Sequence, residues 1–374
     1  MKIYLISLML IMCLIACKKN DNNQKNKEIP RDTIVYLNNK NLQLGVDLYG
    51  GAFISLKINE SEINPFTWQL TKAQMPENNK DGAVFQGHFL CLGRWGKPSA
   101  GEINAGIPHN GEPANSLWQL QIQEEGQLQM KSDAPLDGLS VVRKLAIHTQ
   151  APLVFVNENV TNNLTIGRIY NLVQHSTLGP PFLDTSLVVN SNAGSGFLQQ
   201  HALPDPSAFS YKWPLAELDS LKPPIDLRKT VNTNYVTTHV FENDVELAWV
   251  TAFSPTHQLL LGYCWRKNDY PWLNIWNHFE NERPMAKGLE FGTTGIGADY
   301  ENLLAHDTRF KGNNSFEFID AGARVAKNYY MFMFKTPDNT KNIKEVEINN
   351  NMLLIRDQNK ILAEFNLKNF NQLQ

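Results

Sequence analysis

The stretch Leu44–Ile58 reads LGVDLYGGAFISLKI and indicates the fold class. Apolar residues alternate with polar or small ones on either side of Gly50-Gly51, as in strands that bury one face. A Gly-Gly pair suits the turn of a hairpin, because glycine enters left-handed backbone conformations without steric penalty. The stretch therefore predicts two antiparallel strands joined by a tight turn.

Similar short alternating segments continue to the end of the chain. Turn residues separate them, and no long window shows the period of an amphipathic helix. The predicted strands are Thr33–Leu37, Leu42–Leu48, Ala52–Ile58, Trp118–Gln123, Gln127–Lys131, Leu139–His148, Leu153–Asn159, Val245–Phe253, Leu259–Trp265, Ser315–Ile319, Asn328–Phe334, Ile343–Ile348, Met352–Asp357 and Lys360–Phe365. This pattern predicts an all-β, sandwich-like domain. Ser191–Arg228, rich in Pro, Ser and Ala, is instead predicted to be a long functional loop.

The first residues predict export from the cytoplasm and attachment to a membrane. Met1–Cys17 reads MKIYLISLMLIMCLIAC, a basic start followed by an apolar run and a small residue before the cysteine. The run is shorter than the roughly 20 residues that span a bilayer. Its end, Leu14-Ile15-Ala16-Cys17, resembles the lipobox of bacterial lipoproteins, which implies removal of residues 1–16 and lipidation of Cys17. A secreted protein cleaved elsewhere and a buried N-terminal helix are the alternatives.

Residues 17–31 are predicted to be a tether. Lys18–Arg31 holds one apolar residue besides proline, too few to support a packed core, and this argues against the buried helix. The folded domain is therefore expected at 32–374. Two or three acyl chains would anchor the protein stably in the cell envelope. Lys18 stands where an inner-membrane retention signal would lie, which favours the outer membrane, facing either the periplasm or the exterior.

Composition excludes several classes of function. The 34 Lys and Arg nearly balance the 37 Asp and Glu, and no basic block beyond the tether suggests nucleic-acid binding. No closely spaced histidine pair predicts a metal site, and neither a Gly-rich phosphate loop nor a serine-hydrolase elbow is present, so no cofactor is expected. In the folded domain, Cys91 and Cys264 could form one disulfide or remain two buried thiols, and their apolar surroundings favour thiols.

Four segments, in order, resemble the galactose mutarotase-like (aldose 1-epimerase-like) superfamily. They are Leu44–Ile58, GIPHNGEPANSLWQL at Gly106–Leu120, YNLVQHSTLGPPFLD at Tyr170–Asp184 and AKGLEFGTTGIG at Ala286–Gly297. The resemblance implies an antiparallel β-super-sandwich and a carbohydrate ligand. The chain departs from the family where His109-Asn110-Gly111 interrupts a His-Gly pair. The family's sugar-binding aspartate is not located, and Asp184 and Asp205 are its candidates.

The resemblance also implies roles for individual residues. Exchange of sugar anomers requires a base for the anomeric hydroxyl and an acid for the ring oxygen, both working near neutral pH. By resemblance, His175 is the acid, Glu290 the base, and His109 a hydrogen-bonding partner of the anomeric or ring oxygen. Arg94 would bind sugar hydroxyls with its fork of donors. An aromatic wall for the apolar face of the sugar is predicted at Trp213, Trp276 and His278.

Each of these residues also has a structural interpretation. Histidine in a β protein commonly makes a hydrogen bond of purely structural value, a strand glutamate commonly faces solvent, arginine forms salt bridges, and tryptophan fills the core. The function predicted is recognition of a monosaccharide or oligosaccharide end by a lipoprotein with aldose 1-epimerase-like activity. The alternatives are a non-catalytic sugar-binding lipoprotein of a polysaccharide-utilisation system and a polysaccharide lyase or hydrolase that shares the fold.

Overall fold

The computed structural model describes residues 32–218, 221–358, 360–370 and 372–373. The predicted signal segment, the lipidated Cys17 and the tether lie outside the described residues. Strands make up 48% of the structure and helices 6%, which confirms the all-β prediction. Two short α-helices, α1 and α2, span Ala100–Asn104 and Tyr300–Ala305.

The strands lie in chain order as follows: β1 Ile34–Asn38, β2 Leu42–Asp47, β3 Ala52–Ile58, β4 His88–Leu92, β5 Gln119–Glu124, β6 Gln127–Ala134, β7 Leu139–Ile147, β8 Leu153–Asn162, β9 Arg168–Tyr170, β10 Leu172–Leu178, β11 Val188–Ser191, β12 Ser195–Leu198, β13 Tyr211–Lys212, β14 Leu215–Ala216, β15 Ile225–Asp226, β16 Tyr235–Val240, β17 Leu247–Ser254, β18 Leu259–Arg266, β19 Trp272–Glu280, β20 Arg283–Gly292, β21 Glu317–Ile319, β22 Arg324–Lys335, β23 Glu345–Asn349, β24 Met352–Asp357 and β25 Lys360–Asn366.

Two large antiparallel sheets carry most of these strands. The first has the order β1-β2-β3-β4-β10-β20-β19-β16-β12-β13, and the second has the order β11-β17-β18-β22-β8-β7-β6-β5. Apolar side chains from both sheets form the main core between them. A three-stranded sheet, β23-β24-β25, packs through a second apolar cluster against the outer face of the second sheet. The predicted super-sandwich is therefore confirmed as the fold class.

Segments with clear alternation were predicted well. Ala52–Ile58 and Met352–Asp357 have the predicted bounds, and Asp357 pairs with Lys360 as the predicted hairpin requires. The Gly50-Gly51 turn is also present, with φ of 95° and 62°. A Cβ on Gly51 would lie 2.4 Å from the Trp118 ring, so a side chain would not fit there.

The sequence pattern missed strands near the middle of the first sheet, including β4, β16 and β19. All five residues of β4 are buried. Leu90 and Leu92 belong to the main core, and Phe89 and Cys91 belong to a smaller apolar cluster on the other face. Strands covered on both faces lose the alternation that marks a half-exposed strand. The central strands, which also position the candidate site, were therefore the hardest to recognise.

The fold also decides the state of the two cysteines. Cys91 and Cys264 are both buried free thiols, so the disulfide alternative is wrong. They lie in different apolar clusters, Cys91 beside Phe89 and Cys264 beneath the three-stranded sheet. No helix in the described part of the chain is long and apolar enough to cross a membrane.

Candidate functional site

The site is centred on an imidazole and a carboxyl group on adjacent strands. In the antiparallel ladder of β10 and β20, His175 lies directly opposite Glu290. Residues paired in this way point to the same face of the sheet. His175 Nε2 consequently lies 3.4 Å from Glu290 Oε1. The structure therefore brings together the two residues that the resemblance paired.

The same register extends across the first sheet. Phe89 pairs with His175, Asn274 pairs with Glu290, and Thr238 pairs with Asn274. This row of side chains, which we call the site face, lies on the outer side of the sheet. Alternate residues such as Leu289 and Phe291 point the other way, into the main core.

Burial governs the protonation of the pair, because only 12% of the His175 side chain and 3% of the Glu290 side chain are exposed. Desolvation raises the pKa of Glu290 to about 8, although the hydrogen bond from Trp95 opposes the shift. Desolvation also lowers the pKa of His175 to about 3. At neutral pH the free protein therefore holds one proton in this pair, on the carboxyl group. The roles implied by the resemblance, with His175 as the acid and Glu290 as the base, correspond to the opposite distribution, which exposed side chains would favour near neutral pH.

Neighbouring contacts fix the orientation of both groups. Trp95 Nε1 donates to Glu290 Oε2 at 2.9 Å, so Oε1 is the oxygen that faces His175. Nδ1 of His175 lies 3.0 Å from Thr177 Oγ1, and its ring stacks on Phe89 with centroids 4.4 Å apart. These contacts direct Nε2 of His175 towards the carboxyl group.

His109 is connected to the pair through a series of aromatic ring contacts. Its ring is 6.2 Å from that of Phe85, which stacks on Phe89 at 4.9 Å, and Phe89 in turn stacks on His175. Asn79 holds the backbone of His109 by two hydrogen bonds of 3.0 Å. Desolvation, followed by the charge of nearby Lys97, lowers the pKa of His109 to about 4. His109 is therefore a neutral hydrogen-bonding group at neutral pH.

The asparagine that interrupts the family's His-Gly pair has a structural role. Asn110 has a φ of 62°, and its Oδ1 accepts a hydrogen bond from Gly96 N at 2.8 Å. Gly96 follows Trp95, the hydrogen-bond donor to Glu290. A Cβ on Gly111 would lie 1.9 Å from Leu92 O, so the turn requires glycine there. The departure from the family pattern thus anchors the loop that carries Trp95.

Aromatic rings surround one side of the pair. Trp276 lies 6.3 Å from the His175 ring and stacks on His278 at 5.8 Å, so these two predicted wall residues do lie at the site. Trp68, which sequence reasoning missed, meets Trp276 edge-on at 5.5 Å. Gly288 lies opposite Trp276, and a Cβ there would come within 2.6 Å of Glu290 Oε1. The glycine leaves room for the carboxyl group.

Other predicted binding residues lie outside this group. The buried Arg94 side chain is engaged by Glu102 Oε1 at 2.6 Å and Asp137 Oδ1 at 3.4 Å, and its guanidinium lies over the Tyr300 ring. These contacts support its structural interpretation as a salt-bridged residue.

Trp213 packs at the edge of the main core, with its ring 5.2 Å from that of His239, whose side chain points away from the site face. The segment predicted as a long loop contains β12 and further short strands. Asp184 binds Ser186 and Thr256, and Asp205 caps the backbone of Ser207, both in exposed turns. The structure therefore gives neither aspartate a contact with the pair.

Trp95 and Trp68 were missed because a tryptophan in a β-sandwich more often fills the core than lines a site. The position of Trp95, next to Arg94 in the LGRWG motif, was the only available signal. Among the described residues, no group of three or more His, Cys, Asp or Glu side chains could hold a metal ion. The chemistry of the site is that of an imidazole, a carboxyl group and aromatic surfaces.

No protein-family model matches the chain, and no curated protein matches it in sequence. Its structure is similar to that of a galactose mutarotase related enzyme from Lactobacillus acidophilus, with a TM-score of 0.58 and 12% identity over 82% of this chain and 99% of that one. A galactose mutarotase-like protein from Lactobacillus casei has a TM-score of 0.56 and 12% identity, with coverage of 80% and 100%. A putative aldose 1-epimerase from Escherichia coli K12 has a TM-score of 0.55 and 11% identity, with coverage of 81% and 99%. The chain has the galactose mutarotase-like fold.

Proposed function

We propose that the protein binds a reducing sugar at the site face and interconverts its anomers, as an aldose 1-epimerase-like isomerase. The observation that carries the proposal is the His175–Glu290 pair, 3.4 Å apart, buried and flanked by aromatic rings. The fold is consistent with this activity but does not by itself assign it. The proposed substrate is carbohydrate, and the proposed reaction uses no cofactor.

Ring opening needs one proton removed from the anomeric hydroxyl and one delivered to the ring oxygen. A pair that shares a single proton contains one acid and one base. Sugar hydroxyls that hydrogen-bond to Glu290 favour its ionised form, and the proton then passes to His175. Ionised Glu290 takes the hydroxyl proton, and protonated His175 supplies the ring oxygen. After the aldehyde turns, reclosure uses each group in the opposite role.

The proton count predicts the pH dependence of catalysis. Above about pH 8 the pair loses its only proton, so the acid is missing, and below about pH 3 both groups are protonated, so the base is missing. Interacting groups titrate as a pair, and the two limits belong to the pair rather than to single residues. We expect a broad plateau between these limits, wider than exposed Glu and His side chains would give.

Two-dimensional exchange NMR on a panel of aldoses tests the activity, with the uncatalysed rate subtracted at each pH. Glu290→Gln and His175→Asn serve as inactive variants, because the first keeps the size of the side chain and the second removes Nε2, the nitrogen that faces Glu290. Catalysed exchange that is lost in both variants supports the proposal. Absence of exchange above the uncatalysed rate with every sugar would contradict it.

A binding function without catalysis is the second candidate, favoured by the half-buried aromatic rings of Trp276 and Trp68. Stacking on such rings binds the apolar face of a sugar and does not depend on the carboxyl group. This candidate predicts that Trp276→Ala weakens sugar binding while Glu290→Gln does not, in a protein that shows no exchange. Titration calorimetry with the same sugars measures both effects.

For the location, we propose a lipid anchor at Cys17 in the cell envelope, with the outer membrane favoured over the inner. Support comes from the apolar run before Cys17 and from Lys18 after it. The folded domain would then act on carbohydrate at a membrane surface, with the polar residues 18–31 as its tether.

A further inference from the structure

A cleft of about 450 Å³ lies beside the proposed site, at the edge of β16. Strand β12 pairs with β16 only from Thr237 to His239, so Tyr235 and Val236 lie beyond this pairing. Its lining includes Leu198, Gln199, Gln200, Thr233, Asn234 and Val236. The volume is within the range of roughly 300–1,000 Å³ that is usual for small-molecule sites.

The cleft adjoins the site face by two routes. Val236 pairs with Trp276, which pairs with Gly288 beside Glu290, so Val236 lies on the same face two strands away. At about 4.8 Å per strand, that separation is about 10 Å. By the second route, Gln199 Oε1 accepts a hydrogen bond from Gly297 N at 3.0 Å, and Gly297 adjoins the Trp95 ring.

The lining combines amide and hydroxyl groups with small apolar surfaces. Gln200 contributes an amide group and Thr233 a hydroxyl group. Asn234 contributes its amide NH2, because its Oδ1 accepts a hydrogen bond from Phe279 N. The Gln199 amide is held by Gly297, Thr238 and Gly295 and only shapes the wall. Leu198 and Val236 supply apolar contacts. This combination complements a sugar ring, which presents hydroxyl groups at its rim and C–H groups on its faces.

We infer that the cleft is a second sugar-binding subsite, and that the substrate class is an oligosaccharide with a free reducing end. The inference rests on the proposed function, which places the anomeric carbon at Glu290. A single pyranose ring is shorter than the distance of about 10 Å between β20 and β16. The ring at the pair therefore cannot also fill the cleft, whereas a second unit joined to it reaches there.

Thr233→Trp tests the inference, because it fills the cleft from an exposed position. Asn232→Trp is the matched control, since it adds the same side chain at the neighbouring exposed residue, which does not line the cleft. Exchange NMR gives kcat/KM for glucose and galactose and for the disaccharides maltose, cellobiose and lactose. Saturation-transfer NMR and calorimetry measure binding of the same sugars in both variants.

We expect wild-type protein to prefer at least one disaccharide over its reducing-end monosaccharide. Thr233→Trp should reduce that preference about tenfold, which corresponds to the loss of one or two net hydrogen bonds, and Asn232→Trp should preserve it. Equal preference in the wild type, or the same loss in both variants, overturns the inference. If no sugar shows exchange, the proposed function fails. The subsite is then tested by binding alone: the preference for a disaccharide over its monosaccharide should fall in Thr233→Trp and persist in Asn232→Trp.

Discussion

Glu290→Gln separates catalysis from structure within one side chain. The amide has the size of the carboxyl group, so it fits beside Gly288, and its oxygen can still accept the hydrogen bond from Trp95. It cannot take or give the proton that the reaction needs. General acid–base groups contribute roughly 10²–10⁴-fold, and we expect a loss of anomer exchange within that range. Sugar binding should change little.

The same substitution changes how stability depends on pH. Burial raises the pKa of Glu290 from 4.5 to about 8, so the folded protein holds this proton more tightly than the unfolded chain does. The contribution of Glu290 to stability is therefore fully present below pH 4.5 and is lost as pH rises towards 8. Each pH unit in this window lowers the free energy of unfolding by on the order of 1 kcal/mol. The glutamine variant lacks this loss.

Urea unfolding at pH 5 and pH 8.5, together with exchange NMR, measures both effects. Wild type and Glu290→Gln should have similar stability at pH 5, and the variant should be more stable at pH 8.5. The double variant with His175→Asn should exchange scarcely more slowly than the more damaged single variant, because the two groups act together. Exchange at the wild-type rate in Glu290→Gln would refute the catalytic assignment, and parallel stability profiles would refute the burial argument.

Three further predictions concern residues around the site and the anchor. Trp95→Phe removes the hydrogen bond that lowers the pKa of Glu290, so the alkaline limit of the pH–rate profile should move to higher pH; an unchanged limit would count against this role. Arg94→Met should lower the free energy of unfolding in urea by about 3 kcal/mol, because Asp137 and Glu102 lose a buried partner, with KM little changed. A large rise in KM at full stability would instead support the predicted role of Arg94 in sugar binding. Cys17→Ala should move the protein from the membrane fraction to the soluble fraction, and its complete retention in membranes would contradict lipidation.

Local sequence patterns were sufficient for the parts of the fold with one solvent-facing side. Ala52–Ile58 alternates because one face meets the core and the other is partly exposed, and the preceding turn needs the left-handed backbone that Gly50 and Gly51 adopt. In β4, whose residues are all buried, composition alone could not distinguish a strand from another apolar segment. The sheet order, which places β10 between β4 and β20, depends on long-range pairing that no local pattern contains.

The sequence by itself determined the all-β class, the export and lipidation hypothesis, and, through resemblance, the choice of His175 and Glu290. Only the tertiary structure decided that these two side chains face each other, because their proximity follows from the register between β10 and β20. It also placed Arg94 in an ion-pair cluster with Asp137 and directed the Trp95 hydrogen bond to the Glu290 carboxyl group. Both arrangements join residues that are distant in sequence. The protonation of the pair also could not be predicted from the sequence, because the pKa of a carboxyl group depends on how far folding removes it from water.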